Sequence, residues 1–142
     1  MATAMDRSKV VVVLEDDHEV RGLLATVLQD QGYYVVPVEK GERALAVLQQ
    51  VRATLLIMDL LLPEMDGEEV LRKLRSDERT KDVPVLVLSA HTRLLDNNSD
   101  GKRGRVVSKP FEVDNVIAEV QKIIGKAGEN VVLYDLYAPT SL

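Results

Sequence analysis

Leu55-Leu56-Ile57-Met58-Asp59, followed by Leu60-Leu61-Leu62-Pro63-Glu64-Met65-Asp66-Gly67, is the stretch that decides the fold. Its first residues form a continuous apolar run of strand length that ends on a carboxylate, with Pro63 and Gly67 close behind. A run without polar alternation predicts a strand covered on both faces, as in a parallel sheet. Open α/β sheets bind their ligands beyond the carboxyl ends of the strands. Asp59 is therefore the candidate reactive residue. A strand-terminal Asp also serves as an ordinary turn or cap residue, so the decision rests on how the other strands end.

They end alike. Val10 to Leu14 is a second apolar run and stops at Glu15-Asp16-Asp17; Val83 to Leu88 stops at Ser89; the short strand Arg105 to Ser108 runs into Lys109. Between them the periodicity is helical. Val20, Leu23, Leu24, Val27 and Leu28 share one helix face, with Asp17 placed to cap its start and Gly32 its C′ residue. Gly22 inside that helix costs about 1 kcal/mol against Ala, which close packing against a neighbour would explain. Tyr33 to Val38 is a strand whose Pro37 predicts an edge position. Gly41 to Gln50 is a second helix, and Asp66 with Glu69 resembles a capping box opening a third through Leu74. After a polar connector and a weakly patterned stretch from His91 to Arg105, Val113 to Ile124 forms the last clear helix, stopped by Gly125. Asn130 to Tyr137 reads as a further strand or an arm.

Strands alternating with helices imply an α/β fold: a doubly wound, five-stranded parallel sheet of flavodoxin-like type, with an irregular fourth-helix region and a C-terminal extension. The expected domain spans residues 9–125 and the extension 126–142. At 142 residues there is room for one domain of ordinary size, and with no cysteine there are neither disulfides nor thiolate metal sites. The net charge of -5 and the absence of a broad basic stripe argue against direct nucleic-acid binding; Lys102, Arg103 and Arg105 read as a solvated loop. No run reaches membrane-span length and Met1 to Lys9 lack a signal-peptide core, so a cytoplasmic protein without membrane insertion is expected.

This topology gathers Glu15, Asp16, Asp59, Ser89 and Lys109 around one crevice. Carboxylates about 4 Å apart repel by roughly 4 kcal/mol per pair at an effective dielectric near 20. A divalent cation relieves that repulsion, and an oxygen-only ligand set selects a hard ion, Mg²⁺ above all. A lysine and a hydroxyl beside it hold further oxygens of a phosphoryl group. Such a site stabilises phosphoryl transfer by position and charge, with a carboxylate able to act as the nucleophile.

With those residues in view, the chain resembles a receiver domain of two-component response regulators from about Lys9 to Ile124. Leu14-Glu15-Asp16-Asp17 with Arg21 resembles the family's acidic motif, and Met58-Asp59 through Pro63, Asp66 and Gly67 its phosphoacceptor motif. Leu88-Ser89-Ala90 resembles its switch hydroxyl, and Ser108-Lys109-Pro110-Phe111 its lysine motif. The resemblance implies that Asp59 accepts a phosphoryl group from a histidine kinase or phosphotransfer protein. It implies Asp16 as a direct Mg²⁺ ligand, Glu15 acting through water, and Leu61 giving its backbone carbonyl. Ser89 would bind the phosphoryl group after switching, and Lys109 would pair with Asp59 and then with the phosphate. The family's usual aromatic three positions before the lysine is Val106 here. His18 and His91 are expected at the surface.

The reading this supports is a single-domain response regulator without an output domain, acting on a downstream protein target or in a phosphorelay. It is not an enzyme beyond its own phosphorylation and autodephosphorylation. The apolar residues Val131 to Tyr137 are expected to form a homodimer arm, because an exposed apolar strand needs a partner. The alternative is a receiver-fold interaction module that works without phosphorylation. A Mg²⁺-dependent phosphohydrolase is disfavoured because Leu61 stands where a second catalytic Asp would be, and a flavodoxin because the first strand-to-helix turn is acidic where a phosphate needs donors.

Overall fold

The computed structural model describes residues 6–59, 67–89, 104–108 and 112–125. Among the described residues there are five strands: β1 (Asp6–Leu14), β2 (Tyr33–Val38), β3 (Leu55–Asp59), β4 (Val85–Ser89) and β5 (Gly104–Ser108). The helices among the described residues are α1 (His18–Asp30), α2 (Gly41–Gln50), α3 (Gly67–Ser76) and α4 (Val113–Ile124). All strand pairs are parallel, in the order β2-β1-β3-β4-β5. This is the flavodoxin-like arrangement, with its topological switch between β1 and β3. The irregular stretch expected before β5 and the C-terminal extension lie outside the described residues.

The unbroken apolar runs are explained by burial on both faces. Successive side chains of a strand point to opposite sides, so Val11 and Val13 of β1 and Leu55 and Ile57 of β3 join Leu24 and Leu28 of α1 and Val116 and Val120 of α4. Val12, Leu14, Leu56 and Met58 join Ala44 and Leu48 of α2 and Val70 and Leu74 of α3 on the other side. β2 lies at one edge, as Pro37 requires, and Pro37 itself is exposed.

Local chemistry sets the boundaries. Asp17 caps α1, its Oδ1 accepting from Glu19 N at 2.9 Å and Val20 N at 3.1 Å, and Gly32 follows with φ 97°. Gly125 stops α4 with φ 80°. Both glycines occupy the left-handed region that other residues rarely adopt. Glu69 sits in the first turn of α3 and reaches Arg72 and Lys73 at 3.7 Å each, while its expected capping partner Asp66 lies outside the described residues. In the connector after α3, the hydrogen bond from Arg79 holds the Asp77 carboxyl below the usual carboxylate range.

Three expectations need correction. β1 begins at Asp6 and not at Val10, with a register irregularity between those two residues. β4 begins at Val85 and not at Val83, since Pro84 has no N–H to give the ladder; its carbonyl still accepts from Leu56 N at 3.0 Å. Gly22 does not serve close packing: it is exposed, and a Cβ there would meet nothing within 4 Å.

Candidate functional site

The acidic cluster forms because two neighbouring parallel strands end level. Leu14 pairs with Met58 in the β1–β3 register, so the next residues, Glu15 and Asp59, leave the sheet side by side. Asp16 belongs to the three-residue link between β1 and α1. One carboxylate oxygen from each of Glu15, Asp16 and Asp59 can be chosen so that all three lie within 4.8 Å of one another.

The link itself is tightly tied. Glu15 N donates to Val38 O at 3.1 Å, which carries the β1–β2 ladder one residue past the strand. Glu15 Oε2 accepts from Asp17 N at 3.2 Å. Arg21, one turn into α1, reaches back and donates from Nη1 to Glu15 O at 2.9 Å, with Asp16 O farther away at 3.5 Å. Its Nη2 stands 3.2 Å from His18 Nδ1. Glu15 is buried at 2% exposure, Asp59 is half-buried and Asp16 is exposed.

That gradient decides the electrostatics. Charge repulsion at about 4 Å runs from about 1 kcal/mol in water to about 4 kcal/mol at an effective dielectric near 20. Burial places Glu15 and Asp59 in a lower effective dielectric than the exposed Asp16. The donor set is all oxygen, carries three negative charges if fully ionised, and has an exposed member on one side. It fits a hard divalent cation that keeps some of its water, as Mg²⁺ does.

Of the six predicted site residues, the structure brings together Glu15, Asp16 and Asp59. Ser89 ends β4 and pairs in register with Ser108 of β5, so the backbone of both strands reaches the same sheet edge. Lys109 and Leu61 lie outside the described residues. His18 is exposed, as expected, and His91 lies outside the described residues. The contact of Arg21 with the link is not evident from residue type; its signal in the sequence is position, since an arginine one turn after an acidic strand end can fold back onto the link that precedes its helix.

Residues 11–121 match the family model of the response regulator receiver domain, and the chain belongs to that family. Receiver domains are the phosphoacceptors of two-component signal transduction; they bind Mg²⁺ in the active site and work with histidine kinases or phosphotransfer proteins.

The response regulator receiver protein CpdR of Brucella abortus is 32% identical over 118 residues, covering 82% of this chain and 97% of CpdR. The DNA-binding transcriptional regulator RpaA of Synechocystis is 33% identical over 116 residues, covering 80% of this chain; the chain spans 48% of the length of RpaA, and about half that of several other curated relatives. The chemotaxis response regulator CheY4 of Vibrio cholerae has a TM-score of 0.73 at 27% identity, covering 81% of this chain and 98% of CheY4. The receiver domain of the sensor histidine kinase PA1611 from Pseudomonas aeruginosa, with a magnesium ion coordinated in its active-site cleft, has a TM-score of 0.72 at 26% identity and covers 83% of this chain and 98% of that one. Among the described residues of this chain, no helix is long and apolar enough to cross a membrane.

Proposed function

We propose that the chain is a Mg²⁺-dependent phosphoacceptor in which Asp59 takes a phosphoryl group from the phosphohistidine of a histidine kinase or phosphotransfer protein. A carboxylate oxygen of Asp59 forms the new O–P bond as the donor's N–P bond breaks, and the imidazole leaves with a proton. The observation that carries this reading is the convergence of Glu15, Asp16 and Asp59 carboxylate oxygens within 4.8 Å at the ends of adjacent strands. Asp16, with Asp59 and the Leu61 carbonyl, would hold Mg²⁺ directly, and Glu15 would act through water. The bound ion supplies charge neutralisation for the phosphoryl oxygens. Lys109 then holds a second oxygen as a point charge, and the Ser89 hydroxyl takes the third after transfer.

The added charge biases a two-state surface that a downstream protein partner reads, or the group passes on in a relay. Residues 9–125 form the receiver unit in this reading, the setting is cytoplasmic, and the only chemistry is phosphorylation and autodephosphorylation of Asp59. The extension 126–142 acts as a dimer arm; stopping the chain at Lys126 leaves a monomer by light scattering if so, and an unchanged oligomeric state sinks that role.

Intact mass after incubation with Mg²⁺ and a small phosphoryl donor tests the central claim. One added phosphoryl group is expected on the wild type, and none on Asp59→Asn or in EDTA. No addition under any condition would replace this reading with the phosphorylation-independent interaction module.

A further inference from the structure

Arg21 stands where an arginine needs a reason. It is the fourth residue of α1, near the positive end of the helix dipole, where a cation is disfavoured. Its side chain is only partly exposed, and it is turned back over the link that carries Glu15 and Asp16. That link has several backbone polar groups to satisfy. Glu15 N is taken by Val38 O, Asp17 N by the Glu15 carboxylate, and Asp17 O by Arg21 N at 2.9 Å. The Glu15 carbonyl is taken by the Arg21 guanidinium.

We infer that Arg21 is the positioning residue of the cation site: by holding the Glu15 carbonyl, and more loosely that of Asp16, it fixes the backbone from which both carboxylates reach the cluster. The inference rests on the cation-binding reading given above. Two other roles compete with it. If Arg21 acted through charge alone, its cation would repel Mg²⁺, and removing it would tighten binding. If it merely stabilised the fold, its loss would lower the melting temperature and leave affinity in the folded protein unchanged. The guanidinium is a planar fork whose prongs face different partners, Nη1 the Glu15 and Asp16 carbonyls and Nη2 His18 Nδ1, whereas a lysine ammonium is a flexible point charge. Arg21→Lys therefore keeps the charge and removes the geometry.

The test uses Mn²⁺ alone as the probe, with free ion read by electron paramagnetic resonance, Mg²⁺ as competitor, and temperatures well below each variant's unfolding midpoint. The full chain is compared with Arg21→Lys, Arg21→Ala and Asp16→Asn. Loss of a group that supports metal ligands typically costs about 10-fold or more in affinity, so Arg21→Lys and Arg21→Ala are each expected to bind about 10-fold more weakly than wild type. Wild-type affinity in Arg21→Lys overturns the positioning role, as does tighter binding in Arg21→Ala or a fall in melting temperature with affinity preserved. If the wild type itself takes up no more Mn²⁺ than Asp16→Asn, the cation-site reading fails first and the role of Arg21 falls with it.

Discussion

The two poles of the sheet are built on opposite terms. At the carboxyl pole, carboxylate oxygens of Glu15, Asp16 and Asp59 converge within 4.8 Å of one another. At the amino pole, buried polar groups tie distant segments. Lys9, 4% exposed, donates from Nζ to Ile124 O at 2.6 Å, and the Tyr33 hydroxyl donates to Gly125 O at 2.6 Å. Thr54 Oγ1 accepts from Val10 N at 3.0 Å and donates to Ser8 O at 3.2 Å. The last carbonyls of α4 are thus gripped by the starts of β1 and β2, and a cation at a helix C-terminus also suits the dipole. One pole keeps the domain closed; the other gathers the carboxylates to which the proposed function assigns a cation.

Substitutions at the two poles should therefore move stability in opposite directions. The largest effect is expected from Lys9→Ala, which removes a charge-assisted bond to a buried helix end and should lower unfolding free energy by about 2 kcal/mol. Denaturant titration reads this, and an unchanged midpoint would show that the amino pole is not what closes α4. Tyr33→Phe deletes one hydroxyl and leaves its ring in place, so a loss of about 1 kcal/mol is expected in the same titration. Asp16→Asn should do the reverse in EDTA, raising stability by about 1 kcal/mol because a like charge leaves a cluster whose exposed side feels nearly water-like screening. Adding Mg²⁺ should then stabilise the wild type and leave Asp16→Asn almost unmoved by calorimetry; equal stabilisation of both would break the contrast between the poles. The smallest change concerns a site that belongs to neither pole: Gly22→Ala, in open space on α1, should gain about 0.5–1 kcal/mol from helix propensity. A loss there would mean that the exposed face of α1 requires the glycine.

Much of this was visible before the fold was known. α2 and α4 begin and end where periodicity and Gly125 place them, Asp17 caps α1, and Pro37 lies on an edge strand. These depend on neighbours within a turn or two, and residue type decides them. The acidic cluster was legible for a different reason: parallel strands point one way, so residues that end successive strands collect at one edge. Two features carry no local signal: Gly22 faces open space, and the start of β1 at Asp6 is hidden because Asp6 to Lys9 lack an apolar pattern, although Lys9 is buried.

The order of elements, the both-sided burial of the strands and the set of carboxylates at their ends are written in the residues themselves, since each follows from local pattern and a common strand direction. Long-range packing sets which helices cover which face, and brings Lys9 and Tyr33 to the end of α4 from 115 and 92 residues away. The tertiary structure also decides that Arg21 turns back onto the Glu15 carbonyl rather than outward into water. Those choices go to whichever donor and acceptor the closed sheet leaves within reach, and local periodicity carries no record of that.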